Sequence, residues 1–233
     1  MKIIFENRTE SVSAGTSESG FPAGNMLNEH SKKRWKAGES SATIIADLQG
    51  GSNAIALYNV YADSVDITVG DITYSFTLLQ DDGWGKYRLD SIFLDYGVIS
   101  GTHTVVIELS MPVNNVACGI LFSGIAYNWT NPKFGVETSS ESHSVVYDLD
   151  NGFEYVYQRN ASETPSFSMR LADKAEYFNF MRWAKAIYPN PFILRVEDFS
   201  DELTYYGRMK DLPKGTLSSF NNYQISFNMK EYL

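Results

Sequence analysis

Alternation of apolar and polar residues with a period of two runs through most of the chain and predicts β-strands. The stretch ATIIADL (residues 42–48) presents an apolar face formed by Ile44, Ala46 and Leu48. The stretch HTVVIELSM (residues 103–111) repeats the same period. The stretch VACGILFSGIAY (residues 116–127) is apolar at nearly every position, which is typical of a strand that is covered on both faces. Residues 1 to about 130 are therefore predicted to form an antiparallel sandwich.

One pair of strands is predicted together with its turn. In SVDITVGDITYSFTLL (residues 64–79), two alternating runs flank the dipeptide Gly70-Asp71. Glycine at the first turn position accepts a positive φ, which the type II′ turn of a tight hairpin requires. The stretch is therefore predicted to be a hairpin that turns at Gly70 and Asp71.

The composition changes around YNWTNPKFG (residues 127–135), where Asn, Pro and Gly interrupt the alternation. We place a domain boundary there, with a first domain at residues 1–131 and a second domain at residues 132–233. Alternation returns in SFSMRLA (residues 166–172) and in the final stretch NNYQISFNMKEYL (residues 221–233). The second domain is therefore also predicted to contain a β-sandwich.

Between these strands the hydrophobic period changes to that of a helix. The stretch DKAEYFNFMRWAKAIYPNP carries one apolar stripe, formed by Tyr177, Phe180, Met181, Ala184 and Ile187. Asp173 followed three residues later by Glu176 is the pattern of a capping box. Pro189 and Pro191 cannot continue a helix. The pattern predicts one α-helix at residues 173–188, packed on the second sandwich.

The balance of charges narrows the classes of partner. The chain of 233 residues has a formal net charge of −9, and Lys32-Lys33-Arg34 is its longest basic run. A protein that grips nucleic acid needs a clustered basic surface, so the charge disfavours this class. The N-terminal stretch is too short and too polar for a secretory signal, and no apolar run approaches the length of a membrane span. We therefore expect no membrane association and folding in a cytoplasm.

Histidine and cysteine, which often carry catalysis or bind metals, are few and scattered. His30, His103 and His143 stand alone, without a second His or Cys at metal-ligand spacing. The single cysteine, Cys118, has apolar neighbours and is predicted to be a small buried hydrophobic residue. Phosphate-binding, dinucleotide-binding and nucleophile-elbow motifs are missing from the sequence. We predict no enzyme activity, no catalytic residue, no cofactor and no metal ion.

Two chemical alternatives stay open. The turn-like stretch QDDGWGKYRLD (residues 80–90) could hold Ca²⁺ through carboxylates and carbonyls. A glycosidase would need two carboxylates on opposite sides of a sugar, and Asp81, Asp198 and Glu202 are among the carboxylates available. A sequence does not show how far apart such groups lie.

Tryptophans in polar loops are the candidate ligand-binding residues. Trp84 and Trp129 lie among Gly, Asp and Asn, where a ring can be exposed and can stack on a sugar or anchor a partner protein. The alternative is that each ring folds back over a sheet edge. Trp183 is expected to pack in the protein or against a neighbouring subunit. Trp35 is expected either to bind a ligand or to plug one end of the first sandwich.

The first half has an informative order of motifs. In FPAGNMLNEHSKKRWKA and the residues after it, a small-residue turn leads to a polar loop, a tryptophan, and a strand that ends in Asp-Leu. This order resembles the opening of galactose-binding-like (discoidin-type) jelly rolls. The likeness covers roughly residues 10–125 and depends on Trp35, Asp47, Leu48, Ala56 and Asn59. It implies a jelly-roll sandwich with the Trp35 segment packed at one end, and it transfers no ligand-binding residue because the ligand loops of that family vary.

The second half has its own characteristic order. A helix is followed by PNPFILRVEDFSDELTYYGRMKDLPKG and by the closing strand NNYQISFNMKEYL. This order resembles bacteriophage tail-tip proteins, especially distal tail proteins and the related tail tube fold. The likeness includes a Tyr-Gly-Arg turn at Gly207 and a terminal alternating strand that reaches Glu231.

Together the two likenesses imply a mainly β structural protein of the tail tip of a long-tailed bacteriophage. It would have an N-terminal antiparallel jelly-roll sandwich and a C-terminal β-sandwich with one packed α-helix. The resemblance implies a homo-oligomeric ring, most often a hexamer, that contacts the tail tube protein and the hub and fibre proteins. DNA would pass through without specific binding, which suits an acidic chain because like charges repel. The protein would lie in the virion tail after assembly in the host cytoplasm.

A different function stays open for the first domain. A jelly roll could act as a glycan-binding module for host surface polysaccharide, with loop aromatics such as Trp84 against the sugar. Loss of saturable sugar binding in a folded Trp84→Ala variant would distinguish this module from a purely structural ring.

Overall fold

The structure is a computed structural model that describes residues 1–30, 32–81, 83, 85–130, 132, 136–141, 145–148, 154–157, 162–196, 203–217 and 223–231. The chain divides into two compact units. The first comprises Met1–Trp129 and Phe192–Tyr206, and the second comprises Thr130–Pro191 and Gly207–Leu233. The prediction of a mainly β chain with antiparallel sheets is confirmed.

The described elements are strands, one short 3-10 helix and one α-helix, in the following order along the chain. The strands up to residue 128 are β1 (Lys2–Ile4), β2 (Thr9–Ala14), β3 (Trp35–Lys36), β4 (Ser41–Leu48), β5 (Ala54–Tyr61), β6 (Ser64–Val69), β7 (Ile72–Thr77), β8 (Leu79–Asp81), β9 (Lys86–Arg88), β10 (Ser91–Asp95), β11 (His103–Ser110), β12 (Ala117–Gly124) and β13 (Ala126–Asn128). A short 3-10 helix, Ala23–Leu27, precedes β3. The remaining elements are β14 (Val136–Glu141), β15 (Val145–Asp148), β16 (Glu154–Tyr157), β17 (Ser162–Leu171), helix α1 (Lys174–Ile187), β18 (Phe192–Val196), β19 (Leu203–Met209), β20 (Lys214–Leu217) and β21 (Tyr223–Glu231).

The core of the first unit lies between two antiparallel sheets. One sheet has the strand order β10-β5-β12-β3, and the other has the order β2-β4-β11-β6-β7. Alternate residues along β4 and β11 are buried, as the period of two predicts: Ala42, Ile44, Ala46, Leu48, Val105, Ile107 and Leu109. Apolar residues of both sheets belong to one core cluster. Two sheets packed face to face are what the likeness to galactose-binding-like jelly rolls implies for this half.

The predicted hairpin is confirmed. Strands β6 and β7 pair antiparallel, and Val69 lies opposite Ile72, so Gly70 and Asp71 form the turn. Gly70 has a φ of 59°, a conformation that glycine adopts without the steric cost of a side chain.

Strand β12 is buried along its whole length, which confirms the prediction of a strand covered on both faces. One face belongs to the core between the sheets. On the other, the ring of Tyr206 lies 6.1 Å from that of Phe122 and 5.8 Å from that of Tyr58, centroid to centroid. The Tyr206 hydroxyl donates a hydrogen bond of 2.8 Å to the carbonyl of Glu29. The cover of this sheet is thus supplied by a residue far along the chain.

Strand β18 lies in the first unit, although the sequence analysis placed its residues in the second domain. Strand β1 pairs with both β13 and β18, so that Lys2 lies opposite Asn128 on one side and opposite Arg195 on the other. Arg195 Nη1 also donates a 2.8 Å hydrogen bond to the carbonyl of Phe93. Pairing with the beginning of the chain therefore draws this segment into the first unit. The boundary between residues 131 and 132 stays a prediction about separately folding domains.

The second unit is organised around its closing strand. One side of β21 pairs with β17, and its other side pairs with β20 and then with the end of β19. Ile225, Phe227 and Met229 are buried, as the alternation predicts. The rings of Phe167 and Phe227, which lie opposite each other on β17 and β21, are stacked 4.9 Å apart. This stacked pair joins the two strands on the buried face.

The predicted helix is confirmed, with one change in its apolar stripe. The buried residues of α1 are Tyr177, Phe180, Trp183, Ala184 and Ile187. Met181 is only partly buried, and Trp183 occupies the other flank of the stripe instead. The reason is the contact surface, because Phe180 sits against Phe227 of β21 at 5.6 Å and the ring of Trp183 lies 5.0 Å from Phe180. Within the described residues, no helix combines the length and apolarity that crossing a membrane requires.

The N-terminus of α1 is capped partly as predicted. An Asp173 carboxylate oxygen accepts a 2.8 Å hydrogen bond from the backbone N–H of Glu176. Glu176 does not return to the N–H of Asp173. Its carboxylate accepts from the N–H of Ala172 at 2.6 Å and from the hydroxyl of Thr130 at 2.8 Å. The cap thereby also holds the chain that leads into the second unit.

The change Asp173→Ala is expected to lower the free energy of unfolding by about 1 kcal/mol, because the N–H of Glu176 loses its acceptor. Urea denaturation followed by circular dichroism measures the loss. Asp173→Asn is the matched control, since an amide oxygen can still cap the helix, and it should recover most of the stability. Equal losses in the two variants would contradict the assigned cap.

The predicted Tyr-Gly-Arg turn is wrong. Gly207 lies within strand β19, directly opposite Glu231 of β21. A Cβ atom at this position would meet the backbone carbonyl of Lys230. The glycine therefore serves a close approach of two strands, which is a known use of glycine inside a strand and not evidence of a turn.

Candidate functional site

The two tryptophans proposed as ligand residues remain untested. Trp84 lies outside the described residues. Trp129 is half-buried, and its backbone N–H donates to the carbonyl of Met1 at 2.9 Å while its own carbonyl accepts from the nitrogen of Met1 at 3.0 Å. These bonds continue the pairing of β1 with β13. A role for either ring in binding a sugar or a partner stays a prediction.

Trp35 packs inside the first unit and presents no ring to a ligand. The side chain is fully buried in the core, beside Met26 of the short 3-10 helix. Its Nε1–H lies 3.1 Å from both the carbonyl of Thr16 and the hydroxyl of Ser17. Burial as a plug is therefore the alternative that the structure supports, and the Nε1–H ties the loop after β2 to the sandwich.

The described residues contain no cluster of titratable side chains that could hold a metal ion. No three His, Cys, Asp or Glu side chains converge within the parts of the chain that are described, and His143, Asp82, Asp198 and Glu202 lie outside them. Cys118 is fully buried, as predicted, and burial raises the pKa of its thiol to about 12. A thiol with that pKa is protonated at neutral pH and is not a nucleophile.

Two clusters of polar side chains on the first sandwich are held by hydrogen bonds within the protein. The Nδ1–H of His103 donates to the carbonyl of Gly101 at 3.1 Å, which leaves Nε2 to accept from the hydroxyl of Tyr96 at 3.0 Å. Asp47 accepts hydrogen bonds from Ser11 at 2.7 Å and from Thr104 at 2.8 Å, and these bonds lower the pKa of its carboxyl. Both groupings link neighbouring backbone segments.

A pocket of about 530 Å³ opens at one end of the four-stranded sheet. Its described lining is Arg34, Lys36, Tyr61, Val113, Asn114, Asn115 and Ala117. We call it the Tyr61 pocket. Its volume lies within the range of roughly 300–1,000 Å³ that is usual for small-molecule sites.

Strand register creates the pocket. Ala117 at the start of β12 lies opposite Lys36 of β3 on one side and opposite Tyr61 of β5 on the other. Residues directly opposite one another in antiparallel strands project from the same face. The short Ala117 side chain therefore forms a floor between two long ones, whose strands are about 10 Å apart given the usual strand spacing. The loop between β11 and β12 adds Asn114 and Asn115.

The Tyr61 ring is held in place from the protein side. The Arg88 guanidinium lies over it, 4.6 Å from the ring centroid, as in a cation–π contact. Arg88 is itself anchored, because Nη2 and Nε contact the same Asp63 oxygen at 2.6 and 3.2 Å. The hydrogen bond to this carboxylate is the largest cause of the raised pKa of the Arg88 guanidinium. Tyr61 keeps 39% of its surface exposed, so a fixed aromatic ring is offered to the pocket.

The two cationic side chains of the Tyr61 pocket differ in whether they are already paired with an acid. Lys36 Nζ is 2.6 Å from a Glu18 oxygen and lies 5.9 Å over the ring of Phe21. The Arg34 side chain is exposed, and no ion pair of its guanidinium exists among the described residues. Of the described residues that line the pocket, none is Asp, Glu or His. The lining can therefore bind and orient a polar ligand but holds no acid–base pair.

Sequence reasoning missed this constellation. It noted Arg34 only as part of the longest basic run of the chain and did not single out Tyr61, Asn114 or Asn115. The residues come from three separate parts of the chain, and only the register of β3, β12 and β5 brings them together. No shared sequence motif marks these residues, because each residue lies at the end of an ordinary strand or in a short loop.

No protein-family model matches the chain, and no curated protein sequence matches it. Among solved structures, the chain is similar to a mutant of chitosan-binding module 1 derived from a chitosanase/glucanase of Paenibacillus sp. IK-5, with a TM-score of 0.38 and 15% identity over 52% of this chain and 100% of the module. It is also similar to a mutant of the lectin-binding domain of lectinolysin complexed with Lewis b, with a TM-score of 0.36 and 13% identity over 52% of this chain and 97% of that domain. Similarity at this level carries no argument about the ligand or role of this chain.

Proposed function

We propose that the chain is a structural component of the tail tip of a long-tailed bacteriophage, located in the virion tail. The observation that carries the proposal is the likeness of the C-terminal stretch to distal tail proteins, from the helix to the closing strand. That stretch supplies helix α1 and strands β20 and β21 of the second unit. Residues 192–206 of the same stretch, which include β18, belong to the first unit.

In this role the second unit would form a ring with copies of itself, a hexamer by the resemblance. A ring arises when a head-to-tail interface closes by rotation. The tail tube protein and the hub and fibre proteins are the proposed partners. A formal net charge of −9 supports a wall that DNA passes without adhering, because like charges repel.

The mass of the purified chain in solution tests the ring, together with electron-microscope class averages of the same fraction. A closed oligomer with a central hole is the expected result. A chain that stays monomeric at every concentration, and that also fails to assemble on a purified tail tube protein, would contradict the proposal.

A second function, glycan binding by the first unit, is favoured by the Tyr61 pocket. A fixed aromatic ring beside amides and a cation is the kind of lining that orients a sugar. A glycan screen with the wild-type chain tests it, and Tyr61→Ala should abolish the binding. Trp84→Ala tests separately whether the predicted loop tryptophan takes part. Absence of any saturable glycan binding would contradict this second function while leaving the ring proposal unaffected.

A further inference from the structure

The charge of the Tyr61 pocket indicates which class of sugar the pocket would favour. The chain as a whole is acidic, with a formal net charge of −9, yet the described lining of this pocket holds two cations and no acid. A neutral sugar would need only the aromatic ring and the amides. An excess of positive charge at a ligand pocket of an acidic protein indicates a ligand that carries negative charge.

The positive charge available to a ligand is that of Arg34. Lys36 is already paired with Glu18 at 2.6 Å, so an acid of the protein itself already offsets its charge. Arg34 is held only through its backbone, whose carbonyl accepts a 3.0 Å hydrogen bond from Asn25. Its guanidinium is a planar fork that matches a carboxylate through two parallel hydrogen bonds.

The other lining residues supply what the rest of a sugar requires. The Tyr61 ring, fixed by Arg88, offers an aromatic surface. Asn114 and Asn115 each carry an amide that can both donate to and accept from hydroxyl groups. Their loop also brings Val113, which is 85% exposed, to the rim.

We propose that the Tyr61 pocket binds an acidic sugar, a hexuronate unit of a surface polysaccharide, with its carboxylate on Arg34 and its ring against Tyr61. This inference rests on the proposed glycan-binding function and specifies its ligand class. One cation accessible to the ligand matches the single negative charge of a uronate carboxylate.

Isothermal titration with oligogalacturonate, oligomannuronate and oligoguluronate tests the proposal, each beside its methyl ester. The ester keeps the sugar and removes the charge. At least one acid should bind about tenfold or more tightly than its ester, since hydrogen bonds to a charged group are roughly twice as strong as those between neutral groups. The preference should shrink as salt is added, because the pocket is open to solvent.

The variant Arg34→Gln should remove the preference for the acid over its ester. Lys33→Gln is the matched control, because Lys33 is an exposed cation of the same loop that does not line the pocket. Both residues are exposed, so both variants should unfold at the wild-type urea concentration.

Each other outcome overturns a defined part of the proposal. Acid and ester that bind equally well would refute the uronate while leaving glycan binding in place. Equal effects of Arg34→Gln and Lys33→Gln would assign the preference to the general field of the loop and refute the role of Arg34. Full competition by inorganic phosphate would refute a sugar-specific site. If no oligosaccharide binds, both the uronate and the glycan-binding function are wrong.

Discussion

Replacing Trp35 by alanine is expected to lower the free energy of unfolding of the first unit by about 3–5 kcal/mol. The side chain is fully buried, so its removal leaves a large cavity between the two sheets. The Nε1–H bonds to Thr16 and Ser17 would be lost with it. Strand β3 has only two residues, so the buried ring contributes much of what holds this edge of the sheet.

Urea denaturation followed by far-ultraviolet circular dichroism measures the loss without depending on tryptophan fluorescence. Trp35→Phe should cost clearly less, because a phenyl ring fills part of the space. The matched control is Tyr87→Ala, since Tyr87 is an aromatic residue with 40% of its surface exposed, and surface changes are usually within about 0.5 kcal/mol. A loss at Trp35 no larger than that at Tyr87 would show that the plug does not stabilise the sandwich.

A second large effect is expected from Gly207→Ala in the second unit, a loss of about 3 kcal/mol, the upper end of what overpacking costs. The added Cβ would meet the carbonyl oxygen of Lys230 and lie 3.0 Å from the Cα of Glu231. Both are backbone atoms of β21, so no rotamer change can relieve the contact. The strands would have to separate where β19 pairs with β21.

The matched control is Gly38→Ala, because a Cβ at Gly38 would meet nothing within 4 Å and its φ is not positive. Such a change is expected to be neutral or stabilising, by about 0.4–1 kcal/mol at compatible positions, since it restricts the unfolded chain. Thermal and urea unfolding of both variants give the comparison. Equal stabilities of the two would contradict a close strand approach at Gly207.

The plug also bears on the candidate site. Trp35 stands between Arg34 and Lys36, the two cations of the Tyr61 pocket. Burial of the middle residue holds both neighbours at the end of the sheet. The hydrophobic core and the proposed acidic-sugar site therefore share one short strand.

Local patterns in the sequence determined much of the fold. The period of two placed the buried faces of β4, β11 and β21 correctly, because successive side chains of a strand point to opposite sides. Gly70 marked a hairpin turn, and Asp173 marked the start of the helix, since both depend on backbone conformation or hydrogen bonds within a few residues. The uniform apolar run of β12 predicted a strand that is covered on both faces.

Long-range pairing was decided only by the tertiary structure. The role of Gly207 depends on Lys230, and the place of β18 in the first unit depends on Lys2, more than a hundred residues earlier in the chain. The Tyr61 pocket likewise exists only because β12 lies between β3 and β5 in one particular register. Alternation predicts which residues of a strand face inwards. It does not predict the partner strand, and it does not distinguish registers that differ by two residues, because such registers bury the same side chains. Partners are selected by the packing of whole faces against one another, which a local pattern does not contain.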